Sequence, residues 1–222
     1  MIIAIDGPAA SGKGTLAKKL ALHLGYAFMD TGKLYRATAF ELLEQGLSTK
    51  DKKDAVRAAK ILARKIKEQG TKAVLENQTL KEDRIGTEAS KVAAIPEVRL
   101  TLLDVQKDFA YSPESRMNGV IMDGRDTGTV ICPDADIKLF VTADLEVRAQ
   151  RRLKELQSKG LSVTYSTVLD DMRDRDARDA HTLKAHEAKG YSTNVLDTTL
   201  MSPDEAFHKA LEIINAHKGA AA

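Results

Sequence analysis

Four apolar residues, Ile2-Ile3-Ala4-Ile5, end in Asp6 and then in Gly7-Pro8-Ala9-Ala10-Ser11-Gly12-Lys13-Gly14-Thr15, after which the chain continues as LAKKLALHL. The spacing G-x-x-x-x-G-K between a strand-like run and a helix-like one leaves few folds open. Its glycines let main-chain N–H groups turn inward on phosphate oxygens, and the helix start adds the positive end of its dipole. Residues 7–15 are therefore the expected cradle for a nucleoside triphosphate, with Lys13 as a mobile point charge between its β- and γ-phosphates. The place after the lysine, usually a Ser or Thr that holds Mg²⁺, is Gly14. Thr15 follows, and it is the candidate metal ligand together with Asp123, the latter through water.

Four more short apolar runs follow: Tyr26–Met29, Val120–Met122, Ile137–Val141 and Asn194–Leu196. Most are separated by segments of helical spacing, and their length and flanking Gly or Asp favour strands. That alternation predicts an α/β chain with five parallel strands buried on both faces. The interval of about 36–118 is too long for a simple crossover and reads as an inserted lobe. Within it, Ala55, Ala59, Leu62 and Ile66 repeat at helical spacing, as do Val98, Leu102, Val105 and Phe109. Between them Thr71–Glu76 is expected to form a short hairpin strand, and Lys50–Lys67 to be the solvated face of one amphipathic helix. A second excursion, about 154–189, is dense in charge. The expected core is then about 1–35, 119–153 and 190–222, with a frayed Gly-Ala-Ala-Ala end.

Composition narrows the class. A net charge of +2 gives no broad nucleic-acid surface, and 5% aromatic residues with no Trp give no stacking platform. The start lacks the basic region of a signal peptide, and no apolar run is long enough to span a membrane. Cys132, the single cysteine, follows Val130-Ile131 and reads as an inert buried thiol in a reducing compartment. A cytoplasmic monomer is expected.

Several protein classes carry a phosphate loop. The N-K-x-D of GTPases is absent, and the chain is short for a large ATPase. Four further elements decide among the rest: Asp30-Thr31-Gly32-x-x-Tyr35-Arg36, the run Ser90-K-V-A-A-I-P-E-V-Arg99, Asp123-Gly124-Arg125-Asp126-T-G-T-Val130, and Arg175-Asp176-x-x-Asp179. In that order, from Ile3 to about Thr199, the chain resembles bacterial cytidylate kinases. The resemblance implies a three-layer phosphate-loop kinase fold with an inserted acceptor lobe and a lid. It also implies transfer of the ATP γ-phosphoryl group to CMP or dCMP, with Mg²⁺.

Residue by residue, the resemblance assigns Gly7, Pro8, Ala9, Ala10, Ser11, Gly12, Lys13, Gly14 and Thr15 to ATP. It lays Thr31, Tyr35 and Arg36 along the acceptor nucleotide, and gives Ser90, Arg99 and Asp126 the cytosine edge. An acidic acceptor suits the cytosine amino group, where uracil would present an oxygen. Arg125 would span both phosphates, Arg175 and Arg178 would close over them, and Asp179 would contact the ribose. Arg148 and Arg152, four residues apart, suit either the triphosphate or structural ion pairs. One departure stands out: where the family continues R-D-x-x-D-x-x-R, this chain has Thr182, leaving Lys184 or His181 to replace that cation. His181 and His186 have no third ligand nearby, which argues against zinc. A kinase for AMP or UMP, and a nucleotide-binding regulatory module, remain open as alternatives.

Overall fold

The computed structural model describes residues 1–112, 115, 118–187 and 193–220. The five apolar runs are strands: β1 Ile2–Asp6, β2 Ala27–Asp30, β3 Val120–Gly124, β4 Ile137–Thr142 and β5 Asn194–Asp197. They form one sheet in the order β2-β3-β1-β4-β5, with β1 parallel to β3 and β4, and β4 parallel to β5. Continuous apolar runs mark β1 and β3, which helices cover on both faces, whereas the edge strand β5 buries only Leu196 and leaves Val195 exposed, which corrects the expectation of five strands buried on both faces.

By its contacts the chain divides into two compact units, residues 1–29 with 113–222, and residues 30–112. The first holds the sheet. Its helices include α1 Lys13–Leu24, α7 Leu145–Ser158, α8 Tyr165–Leu183 and α9 Pro203–Ala220. One core joins Ile3, Ile5, Ile121, Leu139 and Val141 of the strands to Leu16 and Leu20 of α1 and to Phe207 and Ile214 of α9. A second, smaller core forms where α7 and α8 pack through Ala149, Leu156, Val168 and Met172. Cys132 is fully buried and carries no disulfide. Helix α9 continues through Gly219 and Ala220, which corrects the expected frayed end for those two residues. Ala221 and Ala222 lie outside the described residues, as do residues 188 and 189 of the expected lid.

The second unit is helical: α2 Gly32–Glu44, α3 Lys52–Gln69, α4 Thr71–Leu75, α5 Asp83–Ala93 and α6 Pro96–Ala110. Asp51 caps α3 by accepting from the N–H groups of Lys53 and Asp54. Ala55, Ala59, Leu62 and Ile66 form its buried face, as their spacing predicts. The hairpin strand expected at 71–76 is instead the single helical turn α4. Only Leu75 of that turn is buried, and a strand there would have had no partner. The buried stripe of α6 is also turned from expectation. It runs Val98, Leu102, Gln106, Ala110, with Val105 and Phe109 half-buried. Gln106 tolerates this position because its amide donates to the Leu102 carbonyl at 3.0 Å.

Candidate active site

Helix α1 starts on Gly12 in the left-handed conformation (φ 90°), and no side chain caps it. Amides at an uncapped helix start of this kind suit an anionic ligand. Among the described residues, Ala10, at φ 58°, is the non-glycine residue held in that strained region. Gly7 is obligatory on packing grounds: a Cβ there would stand 2.0 Å from the Val141 carbonyl oxygen, at φ 149°.

Side chains from distant segments fix the loop's carbonyls. Arg148 of α7 is buried and donates to the Ala9 carbonyl at 3.3 Å and to the Ala143 carbonyl at 2.8 Å. Its remaining donors grip the Asp176 carboxylate of α8 at 2.7 and 3.1 Å. These contacts place Arg148 in a structural ion pair. Arg152 pairs with Glu155 at 2.7 Å. Thr198, after β5, donates to the Ser11 carbonyl at 2.9 Å and is itself held by Arg151.

The ends of β1 and β3 carry the acidic residues. Lys13 Nζ lies 4.0 Å from Asp123 Oδ1, and both side chains are almost buried. A Cβ on Gly14 would come within 3.2 Å of Asp123 Oδ2, so the small residue in the usual Ser/Thr slot leaves room for this carboxylate. Asp6, also buried, accepts from Thr127 N, Thr127 Oγ1 and Gly128 N, each at 2.8 Å. Burial raises its pKa above the ordinary carboxylate value, against the opposing pull of these hydrogen bonds and His186. The residues Asp6 holds open a π-helical turn, Thr127–Ile131, in which Ile131 N and Cys132 N reach back five residues. Such turns concentrate at functional sites, and this one follows Asp126 directly.

Arg125 Nε donates to Asp179 Oδ2 of α8 at 2.8 Å, and Nη1 to the Gly124 carbonyl at 3.0 Å. Burial works most strongly against the charge of Arg125, but Asp179, Asp123 and Asp6 together raise its pKa above the ordinary value. The same balance runs in reverse for Asp179: burial opposes ionisation, yet Arg125, Arg175 and Lys13 hold its carboxyl below the usual range. Arg175 is half-buried on α8, while Arg178 and Thr15 are exposed.

The remaining expected residues belong to the helical unit. Thr31 is buried at the start of α2, and Tyr35 is buried one turn on. The Arg99 guanidinium lies 5.6 Å from the centre of the Tyr35 ring and donates to the Ala93 carbonyl. Arg36 Nη1 donates to the carbonyls of Leu80 and Glu82 at 2.8 and 3.2 Å. A Cβ on Gly86 would strike that guanidinium at 2.7 Å. Ser90 is buried, its hydroxyl on the Thr87 carbonyl at 2.9 Å. So the structure joins Lys13 to Asp123, Arg125 to Asp179, and Tyr35 to Arg99.

Sequence reasoning missed Asp6, Gly86 and Thr198. Only Asp6 carried a signal, since it closes an apolar run just as Asp123 does. Among the described residues no helix is long and apolar enough to cross a membrane.

A solved structure of an uncharacterized protein from Eubacterium ventriosum shares the fold, at TM-score 0.55 and 17% identity, covering 97% of this chain and 98% of that one. A cytidylate kinase of Rhodospirillum rubrum is 50% identical, covering 98% of both chains. One from Paramagnetospirillum magneticum is 49% identical, covering 98% of this chain and 99% of its own. The cytidylate kinase family model matches residues 3–216, a span that takes in the phosphate loop, both acidic strand ends and the arginines of α8. On that match and these relatives, the chain belongs to the cytidylate kinase family.

Proposed function

We propose that the protein transfers the γ-phosphoryl group of ATP to CMP or dCMP, giving CDP or dCDP for pyrimidine nucleotide metabolism. The observation that carries this reading, in a chain of this family, is the charged group at the strand ends. Lys13 faces Asp123, and a half-buried, permanently charged Arg125 is held by Asp179. Phosphoryl transfer needs little covalent help; it needs aligned oxygens and cations around a migrating group.

In this mechanism residues 7–15 hold the triphosphate, with Lys13 on its β- and γ-oxygens. Arg125, Arg175 and Arg178 neutralise charge on the phosphoryl group in flight. Arriving phosphate would compete with Asp179 for Arg125, freeing that carboxylate for the ribose. Arg36 grips the acceptor phosphate, while Thr31, Tyr35, Ser90, Arg99 and Asp126 hold the nucleoside, Asp126 taking the amino group of cytosine. Asp123 and Thr15 would hold Mg²⁺. Their all-oxygen donor set suits that hard ion, which keeps water and substrate oxygens as its other ligands. Bound there, the ion would supply charge neutralisation to the triphosphate. Cys132, buried and reduced, suits a cytoplasmic setting, and a monomer suffices for this arrangement.

ADP release coupled to a dye, measured with CMP, dCMP, UMP and AMP in turn, tests the reading. Turnover should be confined to the cytosine nucleotides, with AMP on the order of 100-fold or more poorer in kcat/KM. Equal use of AMP and CMP would remove the cytosine role of Asp126. ADP release independent of any acceptor would mean a regulatory ATPase instead.

A further inference from the structure

After α8 the chain turns through a short 3₁₀ segment, Lys184–Glu187, and this turn returns His186 to the strand ends. The His186 side chain is 3% exposed. Its Nε2 lies 3.0 Å from the Arg125 carbonyl oxygen and 3.4 Å from Asp6 Oδ2, and its ring rests against Phe140 with centroids 5.0 Å apart. A carbonyl and a carboxylate both accept, so Nε2 must carry a proton whatever the charge of the ring.

Arg125 is thus gripped twice by one limb of the chain. Asp179 of α8 takes its guanidinium, and His186, seven residues further on, takes its main-chain carbonyl. Asp6 links this grip to β1, because the carboxylate facing His186 also holds the amides of Thr127 and Gly128 just beyond Arg125. The peptide that presents the arginine is therefore fixed on both sides.

From this geometry we infer that His186 is a positioning residue for phosphoryl transfer: it orients the Arg125 peptide so that the guanidinium meets the migrating group. The inference rests on the role given to Arg125 in the proposed function. Misplacement of a catalytic cation by about 1 Å costs on the order of 100-fold in rate, and that loss falls on the transition state more than on bound substrate.

The test compares His186→Ala, His186→Gln, Arg125→Ala and the double variant His186→Ala/Arg125→Ala by steady-state kinetics with ATP and CMP, beside thermal unfolding. His186→Ala should lower kcat roughly 10- to 100-fold while both KM values stay within about threefold. His186→Gln, whose amide can donate near the place of Nε2, should recover most of the rate. The double variant should be no slower than Arg125→Ala alone, since both changes remove one function. Wild-type kcat in His186→Ala overturns the inference. So does a glutamine variant as slow and as heat-labile as the alanine one, or a double variant in which the losses multiply. Should His186→Ala not fold, His186→Gln against His186→Leu carries the same comparison. Normal turnover in Arg125→Ala would refute the role of Arg125 itself and take the inference with it. A slow Arg125→Ala beside a fast His186→Ala sinks the inference alone.

Discussion

Arg148 ties the phosphate loop to the charged helix α8, and its removal should be felt in stability. Replacement by alanine strands the Asp176 carboxylate and the carbonyls of Ala9 and Ala143. Breaking a fully buried ion pair costs about 3–5 kcal/mol, but the Asp176 side chain is 27% exposed, so water can reach it. Discounted for that screening, the pair contributes about 1–2 kcal/mol. Each lost carbonyl contact adds about 0.5–1 kcal/mol, because water replaces it only partly. The total, about 3 kcal/mol, lowers the unfolding midpoint of a chain this size by roughly 6–12 °C. Urea unfolding of wild type, Arg148→Ala, Asp176→Ala and the double variant isolates the pair term, expected at about 1–2 kcal/mol. Arg148→Lys should lose about half of the total, since an ammonium cannot reproduce the two-pronged contact. Stability of Arg148→Ala within about 0.5 kcal/mol of wild type, the range of ordinary surface changes, would refute the reasoning.

Three other perturbations separate the parts of the site. Gly7→Ala forces a methyl into the Val141 carbonyl, and thermal unfolding should show a loss of about 2–4 kcal/mol; an unchanged midpoint would mean the loop shifts at no cost. Gly86→Ala meets only the movable end of Arg36, so stability should change by less than about 1 kcal/mol while KM for CMP rises several-fold; an unaltered KM would detach Arg36 from the acceptor. Asp179 has its folded pKa below the unfolded 3.8, so its stabilisation is complete above pH 3.8 and is lost as pH falls through the folded value. Acid titration of unfolding free energy should therefore show a shallower low-pH limb in Asp179→Asn, and parallel limbs would contradict the Arg125 pairing.

The fold was legible where burial is continuous. β1 and β3 announce themselves because the central strands of a parallel sheet covered on both faces need unbroken apolar runs, β5 only through its length and closing Asp, since it buries Leu196 alone, and the phosphate loop because its glycines and lysine have one spacing. Local pattern failed where long-range partners decide. Residues 71–76, with one valine and one leucine, suit a strand as well as a helical turn, and only the absence of a neighbouring strand settles the matter. On the turned stripe of α6, Gln106 places its amide NH₂ on a carbonyl of its own helix, which offsets part of the cost of burying it. The acids Asp6 and Asp176 gave no hint of their partners, which lie 121 and 28 residues away in the chain. Glycines such as Gly86 reveal their purpose only once the neighbouring guanidinium is in place.

The sheet order has a consequence for synthesis. β1 emerges first, but its neighbours are β3 and β4, and Ile2 must wait for Val120. At ribosomal speeds of about 5–20 residues per second, the nascent strand stays without a partner for on the order of ten seconds. Over that time the Ile-Ile-Ala-Ile segment is an exposed apolar edge, while the helical unit, rich in local contacts, is already complete behind it. A chaperone that shields the first residues, or a pause in translation after residue 142, would then govern the yield of folded protein more than any change within the inserted helices.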